Sequence, residues 1–270
     1  MSKLNVLGID GKSQGNVELP KQFIEPVRLD LIQRAVLSLQ SRARQPYGAD
    51  PQAGRRHSVD VSRRRRDYRG SYGKGISRVP RKVLSRRGGQ FSWVGAFAPG
   101  TVGGRRAHPP KSEKIWTRKI NTKENRKAIR AALAATLDTS LVSARGHRAP
   151  TNYPFALVDG IEQIAKTKEL IATLETLGFT EELARAADIQ TRSSGIARMR
   201  GRARKVRVSV LIVASADAPV MTAAQNIPGV QAVAVNELNA ELLAPGAHPG
   251  RLTLFTQGAL KRMEEANLFA

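Results

Sequence analysis

The sequence predicts an α/β fold: a single globular domain with a mostly parallel sheet covered by helices, plus a long basic extended loop. Three observations lead there. The last third of the chain alternates short apolar runs with helical segments, as parallel strands joined by crossover helices do. Two of those runs, VRVSVLIVAS (206–215) and VQAVAV (230–235), are apolar almost throughout, the mark of strands covered on both faces. Between the first two clear helices, about 80 residues show neither a helical nor a strand period.

Along the chain, LNVLGI (4–9) and NVEL (16–19) read as strands in a turn-rich N-terminus. EPVRLDLIQRAVLSLQ (25–40) reads as a helix, with Pro26 in its first turn and Ile32, Ala35, Val36 and Leu39 at helical spacing. NTKENRKAIRAALAATL (121–137) reads as a second helix: Asn121 and Glu124 form a capping-box pattern, and Ile129, Ala132, Leu133 and Thr136 share one face. FALV (155–158) is a short strand. IEQIAKTKELIATLETLG (161–178) reads as one helix stopped by Gly178, with Ile161, Ile164, Ile171 and Leu174 inward. EELARAA (181–187) adds a short helical turn. After the strand at 206–215 come helical APVMTAAQN (218–226), the strand at 230–235 and helical NELNAELL (236–243). The loop APGAHPG (244–250), the strand RLTLFT (251–256) and the helix QGALKRMEEAN (257–267) follow. No internal repeat at a fixed period is visible.

The chain has 270 residues, enough for a sizeable core, and at 41% hydrophobic it is not disordered as a whole. It has no cysteine, which excludes disulfides and thiolate metal sites. MSKLNVLGIDGKSQG lacks the apolar run of a signal peptide. No stretch approaches the roughly 20 apolar residues of a membrane span. The expectation is a soluble, intracellular protein.

Charge is the strongest single number. Against 22 acidic residues stand 45 Lys and Arg, a formal +23. Self-repulsion on that scale destabilises a free compact state, so a polyanionic partner is the economical explanation: nucleic acid first, an anionic membrane surface second. The charge is concentrated. Residues 41–120 hold 21 Lys and Arg against 4 acids, and RSSGIARMRGRARKVR (192–207) holds 7 against none. What is left nets −1, ordinary for a globular body. The chain therefore reads as a near-neutral body, 1–41 and 120–270, with an inserted Arg/Gly-rich loop at 42–119.

The loop's composition specifies its chemistry. It carries 11 of the 23 glycines and 6 of the 14 prolines, and a connection this long is either a functional loop or a linker. Linkers are poor in aromatics. This segment has Tyr47, Tyr68, Tyr72, Phe91, Trp93, Phe97 and Trp116, which fits ordering against a partner. Arginine grips phosphates bidentately and stacks on bases, glycine lets backbone approach a phosphate chain, and aromatic rings offer platforms for unpaired bases. Arg42, Arg44, Arg55, Arg56 and His57, then Arg63, Arg64, Arg65 and Arg66 with Arg69, are candidate RNA contacts on the way in. Arg86, Arg87, Arg105, Arg106, His108, Lys111, Arg118 and Lys119 are candidates on the way out. Tyr47, Tyr68, Trp93 and Trp116 are the stacking candidates. On the body, Arg198, Arg200, Arg202, Arg204 and Lys205 form a second candidate contact. Four arginines alone would also suit a solvated tail or a localisation signal, but the interleaved glycines and aromatics of an internal, two-ended loop do not. A membrane site would need an amphipathic face or lipid anchor, and the loop has neither.

Familiar catalytic patterns fail. Gly11-Lys12-Ser13 lacks the earlier glycine of a phosphate-binding loop, since Val6 stands there. Gly73-Lys74-Gly75 lacks the third glycine of a dinucleotide fingerprint, since Arg78 stands there. The four histidines, 57, 108, 147 and 248, show no metal-ligand spacing; those at 147 and 248 are expected to be structural. No GxSxG nucleophile elbow or converging pair of carboxylates is present. Neither enzyme activity, cofactor, metal nor small-molecule substrate is expected.

RQPYGAD (44–50), YGKGISRVPR (72–81), GAFAPGTVGGRRAHPPKSEKIWTRKINTKENRKAIRAALAATL (95–137), GHRAP (146–150), RMRGRARKVR (198–207) and NIPGVQAVAVNELNAELLAPGAHPGRLTLFTQGAL (226–260) cover much of the chain. On them it resembles the family of the universal large-subunit ribosomal protein number four, in its archaeal and eukaryotic form. Ending near residue 270 without a long extension resembles the archaeal members. The resemblance implies a structural protein of the cytoplasmic ribosome's large subunit, with large-subunit ribosomal RNA and neighbouring ribosomal proteins as partners. It also implies a loop threaded through RNA towards the peptide exit tunnel, with Lys74, Arg78 and Arg81 near its tip. A free-standing RNA-binding chaperone or regulator is the alternative reading of the same basic surfaces.

Overall fold

The computed structural model describes residues 3–59, 61–67, 70–88, 90–188 and 192–270. From the N-terminus, β1 (Lys3–Leu7) and β2 (Ser13–Glu18) lead to α1 (Leu29–Ala43), then β3 (Arg81–Arg87) and β4 (Gln90–Gly95). Next come α2 (Thr122–Leu137), α3 (Thr139–Ala144), β5 (Phe155–Leu157), α4 (Thr167–Thr176), α5 (Thr180–Ala187) and α6 (Gly195–Met199). The last part alternates: β6 (Leu211–Ala214), α7 (Pro219–Gln225), β7 (Gln231–Ala234), α8 (Ala240–Leu243), β8 (Thr253–Thr256) and α9 (Gln257–Glu265). These elements fall into two units, Met1–Ala43 with Thr117–Ala270, and Arg44–Trp116.

The first unit is built on a six-stranded sheet in the order β2-β1-β5-β8-β6-β7. All its pairings are parallel except β1 with β2, the antiparallel edge. Every residue of β5, β6 and β8 is buried, which explains their continuous apolar sequence. Alternation along each strand sorts side chains to two faces. Leu211, Val213, Phe255, Ala156 and Val6 pack with Ile32 and Val36 of α1, Leu133 of α2 and Met263 of α9. Ile212, Ala214, Leu254, Phe155 and Leu157 pack with Leu170 and Leu174 of α4 and Val220 of α7. Truncating one such residue, Ile212→Ala, would cost about 2–5 kcal/mol. Among the described residues no helix is long and apolar enough to cross a membrane, and no group of three His, Asp or Glu side chains could hold a metal ion.

The strands expected at 206–215 and 251–256 are shorter, Leu211–Ala214 and Thr253–Thr256, and three further element boundaries depart from the sequence pattern for a local reason. Pro26 lies before α1, not in its first turn; Glu25 is engaged by Lys127 at 3.3 Å and Arg130 at 3.1 Å, and the helix starts at Leu29. The predicted helix over 161–178 is two pieces, a 3₁₀ turn Asp159–Gln163 and α4. Glu162 breaks it: its carboxylate accepts from the Ser215 amide and hydroxyl and from Thr256 Oγ1, each at 2.7 Å. Likewise 236–243 divides into a 3₁₀ turn Val235–Glu237 and α8, whose Leu242 amide is capped by Asn239 Oδ1 at 2.9 Å. Asn121 does occupy the N-cap of α2, but without a side-chain cap, and Glu124 pairs with Arg34 at 3.2 Å instead of closing the box.

The second unit is not patternless. β3 and β4 form an antiparallel hairpin with Arg81 opposite Gly95, Val83 opposite Trp93 and Arg87 opposite Gln90. Yet among its described residues only Gly70, Ser71 and Ala96 are buried. A lone hairpin without a core is marginal in water.

Candidate nucleic-acid interface

The base of the second unit is held by stacking. Tyr47 stacks on Trp116 with centroids 5.5 Å apart, and the cations of Arg44 and Lys114 stand 4.0 and 4.4 Å from the Trp116 ring. Beyond them the two arms run side by side: the Ala49 amide donates to Pro110 O at 3.0 Å. One glycine permits that approach and a second permits a tight turn within the returning arm. A Cβ on Gly54, at φ +71°, would lie 2.6 Å from the Arg105 backbone. One on Gly104 would run into Ala98 O and Thr101 Oγ1. These glycines serve the chain's own backbone, whereas composition suggested room for phosphates. Arg106, His108 and Lys111, all exposed, join Tyr47 and Trp116 around a recess of about 250 Å³. Arg105 Nε and Trp116 Nε1 are shielded and make no hydrogen bond.

Further out, Arg55 lies 5.8 Å from the Phe97 ring, Arg56 bonds Asp50, and His57 is half-buried. Arg63, Arg64, Arg65 and Arg66 are all exposed. Tyr72 takes Arg78 at 4.4 Å and Arg65 at 5.8 Å, while Lys74 stands 5.0 Å from Trp93. Arg81 Nη1 donates to Val79 O at 3.3 Å. Arg86 and Arg87 project from the hairpin. Tyr68 and Arg69 lie outside the described residues. The aromatic rings thus already have cationic neighbours. An exposed cation–π contact is worth about 0.5–1 kcal/mol and a base stacked on an aromatic about 1–3 kcal/mol, so exchanging one for the other is favourable.

On the first unit, Arg42, Arg118 and Lys119 are exposed at the insertion point. There the Arg118 backbone is clamped to α1, its carbonyl by Ser38 Oγ at 2.6 Å and its amide by Ser41 Oγ at 2.9 Å. The second basic segment closes on itself through a bridge between Arg192 and Arg204 and the Ser193 amide donating to Ala203 O at 2.9 Å. α6 sits within this closed turn. Arg198, Arg200, Arg202, Arg204 and Lys205 are all exposed on it. Arg207 is the exception: it donates to Arg185 O at 3.2 Å and faces Asp188 at 3.8 Å.

Beside Lys205 lies a recess of about 700 Å³ that the sequence did not announce, formed by Arg145, His147, Arg185, Arg207 and His248 among others. Behind it is a buried carboxylate. Glu182 Oε1 lies 2.7 Å from His147 Nδ1 and accepts from Arg185 Nη2 at 2.6 Å and Ser209 Oγ at 3.0 Å. Glu182 Oε2 accepts from the Arg148 amide and Arg185 Nε at 2.9 and 2.8 Å. Burial opposes ionisation of Glu182, but the hydrogen bonds from Arg185, His147 and the Arg148 amide outweigh it and bring its pKa to about 2. Burial lowers the pKa of His147, and the charges of Arg185 and Arg145 add to that against the pull of Glu182. His147 is therefore neutral, with its proton on Nδ1 facing the carboxylate and a bare Nε2. The run Arg145-Gly146-His147-Arg148 in an otherwise near-neutral body was the available signal.

The sequence model of the Ribosomal protein L4/L1 family matches residues 17–266. The chain belongs to this family. Among relatives of the L4/L1 family, the large ribosomal subunit protein uL4 of Nanoarchaeum equitans is 50% identical over 256 residues, 94% of this chain and 95% of its own. That of Methanococcoides burtonii is 43% identical, covering 98% of each chain, and that of Pyrobaculum aerophilum is 44% identical over 97% of this chain and 89% of its own. The family assignment joins the archaeal uL4 proteins to this chain over nearly its whole length, including both basic segments.

Proposed function

We propose that this chain is a structural, non-enzymatic constituent of the large ribosomal subunit in the cytoplasm, bound to large-subunit ribosomal RNA and to neighbouring ribosomal proteins. The observation that carries this reading is the division of charge: a near-neutral body with its own buried sheet, and basic segments with almost no acid, in a chain half identical to a large-subunit protein. Residues 42–119 act as the RNA-threaded loop. Its arginines displace counterions from phosphates and its rings exchange their cations for bases. Lys74, Arg78 and Arg81 stand at or near the tip, facing the peptide exit tunnel. Without a core of its own, the loop takes its final form against RNA during assembly.

A tagged copy of the full chain should cosediment with large subunits at one copy each and survive moderate salt. Recovery only in free RNA–protein complexes would favour a chaperone or regulator instead.

A further inference from the structure

The 700 Å³ recess beside α3 is a site of its own, lined by residues of the first unit. Its charges are one-sided. Arg145, Arg185, Lys205 and Arg207 contribute cations, no carboxylate is among its described lining residues, and the carboxylates nearest these cations are already engaged, Glu182 by Arg185 and His147 and Asp188 by Arg207. Leu141, Ala144, Val206 and Val208 supply apolar wall between them. His147 also lines the recess; its side chain is 2% exposed, and its Nε2 has no hydrogen-bond partner. With the proton held on Nδ1 by Glu182, that Nε2 accepts.

An occupant that matches this lining combines negative charge for the cations, an apolar body for the walls and a hydrogen-bond donor for the buried His147 Nε2. We infer that the recess receives a single nucleotide extruded from ribosomal RNA, its phosphate against Lys205 and Arg207, its base between the apolar walls, and a ribose hydroxyl or exocyclic amine donating to His147 Nε2. The size suits: small-ligand pockets span about 300–1,000 Å³. Unpaired, splayed nucleotides are the usual target of RNA recognition by side chains. Acidic side chains of a protein tail fit less well, because they would bring only acceptors to His147. This inference rests on the proposed RNA-binding role.

The test uses the full chain with large-subunit ribosomal RNA transcribed in vitro. Zero-length ultraviolet crosslinking should place a nucleotide adduct within 141–148 or 205–208. Ala144→Trp, which fills the recess from an exposed position, should weaken RNA binding about tenfold without lowering the melting temperature, as loss of one stacked base does. Lys205→Glu should weaken binding and reduce its salt dependence by about one released ion, and it carries the test if Ala144→Trp does not fold. Unchanged affinity in both variants, with adducts only elsewhere, overturns the nucleotide site while leaving RNA binding in place. Unchanged RNA affinity with failed subunit incorporation also overturns it, in favour of a protein occupant. A wild-type chain that does not bind this RNA at all overturns the underlying role as well.

Discussion

His147 Nδ1 lies 2.7 Å from Glu182 Oε1, and these side chains are only 2% and 0% exposed. Five donors converge on that one carboxylate, from Arg185, His147, Ser209 and the Arg148 amide. Glu182→Gln removes the charge and turns one end of the group into a donor facing donors. Breaking a buried pair in this way costs about 3–5 kcal/mol. Urea unfolding should show that loss; a change under about 1 kcal/mol would mean the network positions residues without stabilising the fold.

The same pair sets a dependence on pH. Both groups have folded-state pKa values below their ordinary 6.5 and 4.5. Each therefore binds protons more readily when unfolded, so its contribution is complete above the ordinary value and shrinks as pH falls. Stability should start to decline below about pH 6.5 through His147, and more steeply below about 4.5 through Glu182, until about 2. Unfolding free energies measured across that range should fall steadily, and Glu182→Gln should flatten the lower part. Greater stability at pH 5.5 than at 7.5 would contradict the assignment.

The second unit should be open to proteases in the free chain. Its described part buries only Gly70, Ser71 and Ala96, and its cation–π contacts are weak in water. Trypsin should cut between about Arg55 and Arg106 and spare the first unit. Full protection without RNA would show that the hairpin and stacked base suffice to order it.

Gly104→Ala should separate the units. The added methyl would strike Ala98 O and Thr101 Oγ1 inside a tight turn, distant in sequence from every strand of the six-stranded sheet. The melting of the first unit should not change, while incorporation into large subunits should fall. Wild-type incorporation would show that the turn adjusts.

Deleting 70–81 should leave RNA binding by the first unit largely intact and alter nascent-chain passage. Failure of subunit incorporation would instead make this stretch an anchor.

The sheet was legible because burial on both faces writes itself into strands such as Leu211–Ala214 as unbroken apolar sequence. What escaped was decided at a distance. Nothing local in IEQIAKTK says that Glu162 will leave its helix for Ser215 and Thr256, because those partners are remote in sequence. The hairpin did carry a signal, paired glycines 88 and 89 between RKVLSRR and QFSWVG, but its arginines resembled RNA contacts and obscured the pairing. Of the interface, charge exposed the arginines. It could not reveal that Tyr72 and Trp116 already face cations, nor that Arg145 and His147, in the turn after α3, meet Arg185 of α5.

The serine clamp on Arg118 has an evolutionary side. Ser38 and Ser41 fix the returning chain to the same helix from which the insertion departs. Lengthening or shortening the arm between Ala43 and Thr117 leaves every strand register of the sheet untouched. Insertions and deletions can accumulate there at little cost to folding, so the arm's length can change while the body keeps its fold.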